Sequence, residues 1–237
     1  MSVRIWIVPE DFDASVNKLA ALAEPVRRAL YRYVAGQPEP VSRERASAGV
    51  GVALHLAKFH MDKLVDDGLL EAEYRRPPGR GGPGAGRPAK LYRRAPGSIE
   101  VSVPERRYDL AGRIMARAIT AARDTGGPVD EALAAAARST GAELARQARR
   151  GTPAGDHLTA VSEVLAGSGY EPRVEGGRVT LSNCPFHQLA ESYTALVCGM
   201  NLHLVDGVLD ALSARDLCAQ LAPAPGMCCV TIGPSQE

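Results

Sequence analysis

The sequence predicts a mainly α-helical fold with small β elements (α+β), divided between two halves of the chain. Apolar residues recur at helical spacing over most of the sequence, and short strand-like runs flank glycine-rich turns. A length of 237 residues is comfortable for two domains, because a typical domain has about 100–150 residues. Residues 1–98 hold 16 Lys and Arg against 11 Asp and Glu, whereas residues 99–237 hold 12 against 16. Only the basic first half is therefore expected to meet a polyanion.

Three helices are predicted in the basic half. The first starts near Pro25, which suits a first helical turn, and Ser42 is a candidate N-cap for a short second helix. A third helix follows a small-residue turn and stops at Gly68. Three helices with this spacing predict a helix-turn-helix unit, whose third helix would enter the major groove of DNA.

A basic hairpin is predicted directly after these helices. "LLEAEYRR" and "AKLYRRA" alternate like strands, and "PPGRGGPGAGRP" between them is a turn-rich loop. Tyr74 to Arg94 contains seven basic residues and no acidic one. A solvated linker is the alternative, but the position after a helix-turn-helix favours the wing of a winged helix, which tracks phosphates. The candidate DNA-binding residues are Leu54, His55, Lys58, Phe59, Asp62, Arg75, Arg76, Arg80, Arg87, Lys90 and Arg93.

The acidic half is predicted as an α+β sensor domain. Residues 99–150 are rich in Ala and Arg at helical spacing, which suits either a domain core or a dimer seam, and we assign them to a helical connector and dimerisation region. Residues 151–237 add a helix, two short strands around Gly176 and Gly177, and the cysteines. The domain boundaries are therefore placed at 1–98, 99–150 and 151–237.

The five cysteines point to a thiolate metal site. A cytoplasmic location is expected, and clustered cysteines there bind metal or do redox chemistry more often than they form structural disulfides. Cys184 lies in a loop before Pro185, Cys198 is expected between two helices, and Cys228 and Cys229 are expected to open a last strand. Adjacent strand residues point to opposite faces, so only one of that pair is expected to be a ligand, with His187 as the nearest candidate for a fourth.

Several alternatives to a metal site stay open at this stage. A structural zinc site, a thiol redox switch formed by Cys184 and Cys198, and buried free thiols in a small-molecule-sensing domain all fit the spacing. Cys218, in "ARDLCAQLA", is interpreted as a buried helix residue of the core.

A family resemblance covers nearly the whole chain. The run "SAGVGVALHLAKFHMDKLVDDGLLEAEYRRPPGRGGPGAGRPAKLYRRA" resembles the winged helix of ArsR/DeoR-like bacterial regulators. Together with "PERRYDLAGRIMARAI" and "NCPFHQLAESYTALVCGMNL…PGMCCVTI", it is similar to the SufR-type group, actinobacterial repressors of iron–sulfur cluster assembly. The resemblance implies a homodimer that binds a palindromic double-stranded DNA operator and carries an iron–sulfur cluster, 4Fe–4S or 2Fe–2S, on its C-terminal cysteines.

Other classes find no support in the sequence. No apolar run approaches the roughly 20 residues of a membrane span, and the N-terminus does not read as a signal peptide. P-loop, GxGxxG, GxSxG and HExxH motifs are absent from the sequence, so the chain is not expected to be an enzyme. The segment "VRIWIVP", with its single Trp6, receives no assignment.

Overall fold

The computed structural model describes residues 10–75, 88–148 and 156–235. It divides into two compact units, one within Val8–Val101 and the other within Ser102–Glu237. Both combine helices with a small antiparallel sheet, which confirms the mainly α, α+β prediction. Trp6 and the wing-tip residues Arg76, Arg80 and Arg87 lie outside the described residues.

The N-terminal unit is a winged helix-turn-helix. Its helices are α1 (Glu10–Ala21), α2 (Pro25–Ala35), α3 (Arg43–Val50) and α4 (Leu54–Asp66). Its strands β1 (Val41–Ser42), β2 (Leu70–Arg75) and β3 (Ala89–Arg94) form an antiparallel sheet in the order β1-β3-β2. Helix α1 was not predicted from the sequence.

Local signals set the bounds of these helices. Pro25 occupies the first turn of α2, and the Glu24 carboxylate accepts hydrogen bonds from the amides of Val26 and Arg27. The predicted N-cap Ser42 accepts from the Arg45 amide at 3.2 Å. Gly51 ends α3 with φ of 75°, a left-handed conformation that glycine adopts at little cost.

The C-terminal unit packs five helices with a four-stranded antiparallel sheet. The helices are α5 (Tyr108–Thr125), α6 (Val129–Ala148), α7 (His157–Ala166), α8 (His187–Ser192) and α9 (Thr194–Leu212). The strands β4 (Pro172–Glu175), β5 (Arg178–Leu181), β6 (Leu217–Leu221) and β7 (Val230–Pro234) lie in the order β4-β5-β7-β6. Helices α5 and α6, assigned from sequence to a connector, share one buried apolar core with α9.

Helices α6 and α9 pack so closely that glycine is required at the crossing. A Cβ atom on Gly141 would lie 2.0 Å from the carbonyl oxygen of Leu204, and one on Gly207 would lie 2.0 Å from the carbonyl oxygen of Arg138. By length and composition α9 could cross a membrane, with a mean hydropathy of 1.4, but 56% of that window is buried inside this unit. We therefore interpret α9 as the central core helix of the unit.

Three sequence-based placements of cysteines are wrong. Cys198 lies inside α9, which runs unbroken from Thr194, and not between two helices. Cys228 and Cys229 precede β7, which begins at Val230, so the alternation of strand side chains does not separate them. Cys218 belongs to strand β6 and is partly exposed, because "LCAQL" pairs with β7 instead of forming a helix.

Candidate DNA-binding surface and cysteine cluster

Helix α4 presents a distinct outer face. Its inner face buries Ala57, His60, Met61 and Leu64 in the core of the N-terminal unit. On the outer face His55 and Lys58 are exposed, while Leu54 and Phe59 keep 47% and 62% of their surface accessible. These four predicted DNA-binding residues are thus available to a partner.

Asp62, also predicted to face the groove, is engaged inside the unit. Its carboxylate accepts hydrogen bonds from Lys90 Nζ at 2.5 Å and from the Tyr92 hydroxyl at 2.6 Å, and Arg43 lies 3.5 Å away. Arg43 also donates from Nε to the Tyr92 hydroxyl at 2.8 Å. This cluster joins α3, α4 and β3, so Asp62 and Lys90 hold the recognition helix against the wing strand. Both residues were predicted to contact DNA, but these interactions leave neither side chain free to contact a base or a phosphate.

The hydrogen bonds at Asp62 make the N-terminal unit sensitive to acid. Burial alone raises the pKa of Asp62, but the hydrogen bonds from Lys90 and Tyr92 and the positive charges outweigh it, so the pKa lies below its ordinary value of 3.8. A lowered pKa means that the carboxylate stabilises the fold fully above pH 3.8, and that this stabilisation is lost as pH falls further.

We expect Asp62→Asn to destabilise the N-terminal unit by about 1–2 kcal/mol at neutral pH, since charged hydrogen bonds are lost at a partly exposed site. The difference from wild type should shrink as pH falls below 3.8, because wild-type Asp62 then also becomes neutral. Hydrogen exchange of the α4 and β3 amides, compared at each pH, measures both effects. Asp66→Asn, at an exposed position one turn further along α4, is the control and should change little. Equal losses in both variants would contradict the role of Asp62.

Two arginines of the wing strands, Arg75 and Arg93, are exposed but paired with acids. Arg75 lies 2.8 Å from Glu73, and Arg93 lies 2.8 Å from Glu71. Such exposed pairs contribute little to stability and exchange readily, so both arginines can turn to phosphates. Arg76, Arg80 and Arg87, the remaining wing candidates, fall outside the described residues.

In the C-terminal unit, the fold brings four cysteines together. Cys184 follows β5, Cys198 lies in α9, and Cys228 and Cys229 lie in the loop before β7. Cys184, Cys198 and Cys228 are buried and Cys229 is partly buried; all four are free thiols. Buried Asn183 anchors the Cys184 loop by donating to the carbonyl oxygens of Gly169, at 2.7 Å, and Glu105, at 3.0 Å.

The four thiols influence one another's ionisation. Hydrogen bonds from the thiols of Cys184 and Cys229 hold the pKa of Cys228 far below its ordinary value. The same hydrogen bonds to Cys228, together with burial, raise the pKa of Cys184 and that of Cys229, which also hydrogen-bonds with Cys198. One negative charge centred on Cys228 is therefore favoured, and a second is opposed.

A side-chain amide also points at one of the sulfur atoms. The Asn201 side chain donates to Cys228 Sγ at 3.2 Å. Fully buried Asn201 in turn accepts from the buried Tyr170 hydroxyl. Sequence analysis missed Asn201 and Tyr170. The available signal was an amide three residues after Cys198 on the same helix, one turn away.

His187 is not part of this cluster. It lies on α8 with half of its side chain exposed, and its Nε2 is 3.3 Å from Glu191 of the same helix. His187 therefore lies apart from the four cysteines, and the set of side chains that would hold a metal stays a prediction.

The sulfur ligands of the cluster are of the type that a soft metal centre takes, but their sulfur atoms are not positioned around a common point where a metal ion would lie. Within residues 10–75, 88–148 and 156–235, no three His, Cys, Asp or Glu side chains are placed to hold a metal ion. Cys228 lies close enough to Cys184 and Cys229, and Cys229 to Cys198, for each thiol to influence the ionisation of its neighbours. Four cysteine sulfurs, one of which accepts from the Asn201 amide, are nevertheless the soft ligands that iron–sulfur clusters and zinc take.

Comparison with known proteins identifies the N-terminal unit. Residues 22–73, from just before α2 into β2, match the family model of a helix-turn-helix domain. The winged helix-turn-helix and this match define a DNA-binding transcriptional regulator. A search of curated proteins found no match.

One matching solved structure is human N-acetylserotonin methyltransferase in complex with SAM. The two chains are 20% identical over 65% of this chain and 43% of that chain, with a TM-score of 0.25. This chain thus spans less than half the length of that protein, and so low a TM-score carries no argument about fold or activity. The prediction from the sequence that this chain is not an enzyme is withdrawn, because missing motifs exclude no activity and one matched protein is an enzyme.

Proposed function

We propose that the protein is a dimeric, cytoplasmic transcriptional repressor whose affinity for operator DNA depends on an iron–sulfur cluster held by Cys184, Cys198, Cys228 and Cys229. One observation supports this proposal most strongly. Four thiols, from a loop, a helix and a second loop, converge beside the Asn201 side-chain amide, which donates to Cys228 Sγ. The resemblance to SufR-type repressors favours a cluster over zinc, and cluster assembly genes as targets.

The DNA-binding half of the proposal rests on the N-terminal unit. The outer face of α4 has the size and exposure to enter a major groove, and the β2–β3 hairpin carries basic residues at its side. Arg75 and Arg93 can exchange their partners Glu73 and Glu71 for phosphates, a contact that releases counterions from DNA. A dimer would place two such helices on a palindromic operator.

The sensing half rests on the chemistry of the four cysteines, which place soft sulfur ligands close together in the C-terminal unit. Cys184, Cys198, Cys228 and Cys229 would hold an iron–sulfur centre as thiolates, and such a centre would supply a group that oxidants attack. The Asn201 amide would stabilise charge on the Cys228 sulfur, and the surrounding apolar core would limit access of water.

The two halves are coupled by linkage. A centre that favours the DNA-competent dimer binds that dimer more tightly than the alternative, and DNA in turn stabilises the centre. A coupling free energy of about 1–3 kcal/mol changes operator affinity by about 5- to 150-fold.

The test starts from protein purified without oxygen. We expect broad visible absorption, iron and acid-labile sulfide, and tight binding to duplexes selected from the promoter regions of the same genome. Removing the cluster with oxygen and a chelator should weaken operator binding by at least fivefold at fixed salt.

Each alternative gives a different result. A colourless protein with one zinc per chain would replace the sensor by a structural clasp. A metal-free protein whose operator binding changes with thiol oxidation would instead establish the redox switch predicted for Cys184 and Cys198. Operator binding unchanged by either treatment would contradict any sensing by these cysteines.

A further inference from the structure

The outer face of α4 is unusually apolar for an exposed helix surface. Phe59 is 62% exposed near the centre of this face, and Leu54 is 47% exposed in the first turn. Leu56, at the edge of the face, is 40% exposed. Phe59 is the most exposed large apolar side chain of α4, and such exposure indicates contact with a partner.

Polar readers of DNA bases are scarce on the same helix. The sequence of α4, "LHLAKFHMDKLVD", contains no Arg, Asn or Gln, so Lys58 and Lys63 are its side chains of the kind that hydrogen-bond guanine. Asp62 is engaged by Lys90 and Tyr92, and Lys63 lies 3.0 Å from Asp67. His55 and Lys58 are the exposed polar groups that remain near Phe59.

We propose that Phe59, with Leu54, reads the 5-methyl groups of thymine in the major groove, so that operator specificity rests on apolar contacts. This inference rests on the proposed DNA-binding function. Thymine is the base whose major-groove edge carries a methyl group, and apolar side chains contact it. Placing Phe59 against that methyl removes apolar surface of both groups from water, which gives the helix a reason to expose a phenylalanine.

The test removes the methyl group and the ring separately. An operator is first selected from random duplexes, and each thymine is then replaced by deoxyuridine, which differs only in lacking that methyl. We expect wild-type affinity to fall about threefold to fivefold at one or two positions of each half-site. Phe59→Ala should bind the thymine operator more weakly and show no further loss with deoxyuridine at those positions, because the contact is already gone.

Controls separate a base contact from general weakening. Leu19→Ala removes an exposed apolar side chain from α1 of the same unit and should keep the wild-type response to deoxyuridine. Phe59→Ala should leave the salt dependence of binding unchanged, whereas Lys58→Ala, if Lys58 contacts a phosphate, should flatten it. Phe59→Leu should keep part of the methyl response.

The outcomes distinguish this inference from the function on which it rests. Wild-type protein that binds its operator equally with thymine and deoxyuridine overturns the inference alone. So does a Phe59→Ala variant that loses as much affinity on deoxyuridine as wild type does. Wild-type protein that binds no duplex above non-specific affinity overturns the proposed function as well.

Discussion

A chain with alanine in place of Gly207 should unfold at a temperature about 5–10 °C below that of wild type. The added Cβ would lie 2.0 Å from the carbonyl oxygen of Arg138 and 2.8 Å from its Cα, which are backbone atoms of α6 and cannot rotate away. The helices must separate, and overpacking of this kind costs about 2–3 kcal/mol, or about 2–4 °C for each kcal/mol in a chain of this size. Thermal unfolding followed by circular dichroism measures the shift.

Helix α9 itself provides the matched control. Gly199 lies on the same helix, but a Cβ there would meet nothing within 4 Å. Gly199→Ala should therefore leave stability unchanged or raise it by up to about 1 kcal/mol, because alanine has the higher helix propensity. Gly141→Ala, which adds a Cβ to the opposite helix of the same crossing, should resemble Gly207→Ala. Similar unfolding temperatures for the Gly207 and Gly199 variants would contradict the close crossing.

Serine at position 184, 198, 228 or 229 should abolish or strongly reduce cluster content in protein purified without oxygen. A serine hydroxyl is a poor ligand for iron at neutral pH. Each of the four substitutions removes one sulfur atom from the cluster of four cysteines. Visible absorption and the iron and sulfide content per chain measure the loss. Operator affinity should fall to that of the cluster-free wild type.

Two variants separate ligands from bystanders. The thiol of Cys218, on β6, donates to the carbonyl oxygen of Pro234 at 3.5 Å and accepts from the Gln220 side-chain amide at 3.2 Å. His187 faces Glu191. Cys218→Ser and His187→Ala should both retain a full cluster. Loss of the cluster in His187→Ala would restore the imidazole as a ligand, and full clusters in the Cys229→Ser variant would reduce the set to three cysteines.

Much of the N-terminal unit was predictable from sequence because its signals are local. Pro25 and Ser42 set helix starts, and the alternating runs around a Gly/Pro-rich loop give β2 and β3. The same local reasoning placed Asp62 on the outer face of α4. It could not show that Lys90 and Tyr92, 28 and 30 residues away, occupy the Asp62 carboxylate.

The C-terminal unit was less predictable because its decisive contacts are between distant segments. "LCAQL" is a short apolar run that fits a helix or a strand, and pairing with β7 decides in favour of the strand. The helical residues before Cys198 belong to two helices, since α8 ends at Ser192 and α9 begins at Thr194. The sequence gives no clear signal for this break, so it was placed at Cys198 instead. The approach of Asn201 to Cys228 joins residues 27 positions apart and depends on the packing of α9.

The crossing of α6 and α9 makes one side of the cysteine cluster stationary and the other side adjustable. Cys198 and Asn201 belong to α9, which cannot slide or roll on α6 while Gly207 and Gly141 rest against backbone. Cys184, Cys228 and Cys229 lie in connecting segments instead. These three cysteines are therefore the ones that can move apart to accommodate a bound group. A group bound at the thiols would therefore displace the two loops more than it displaces helix α9.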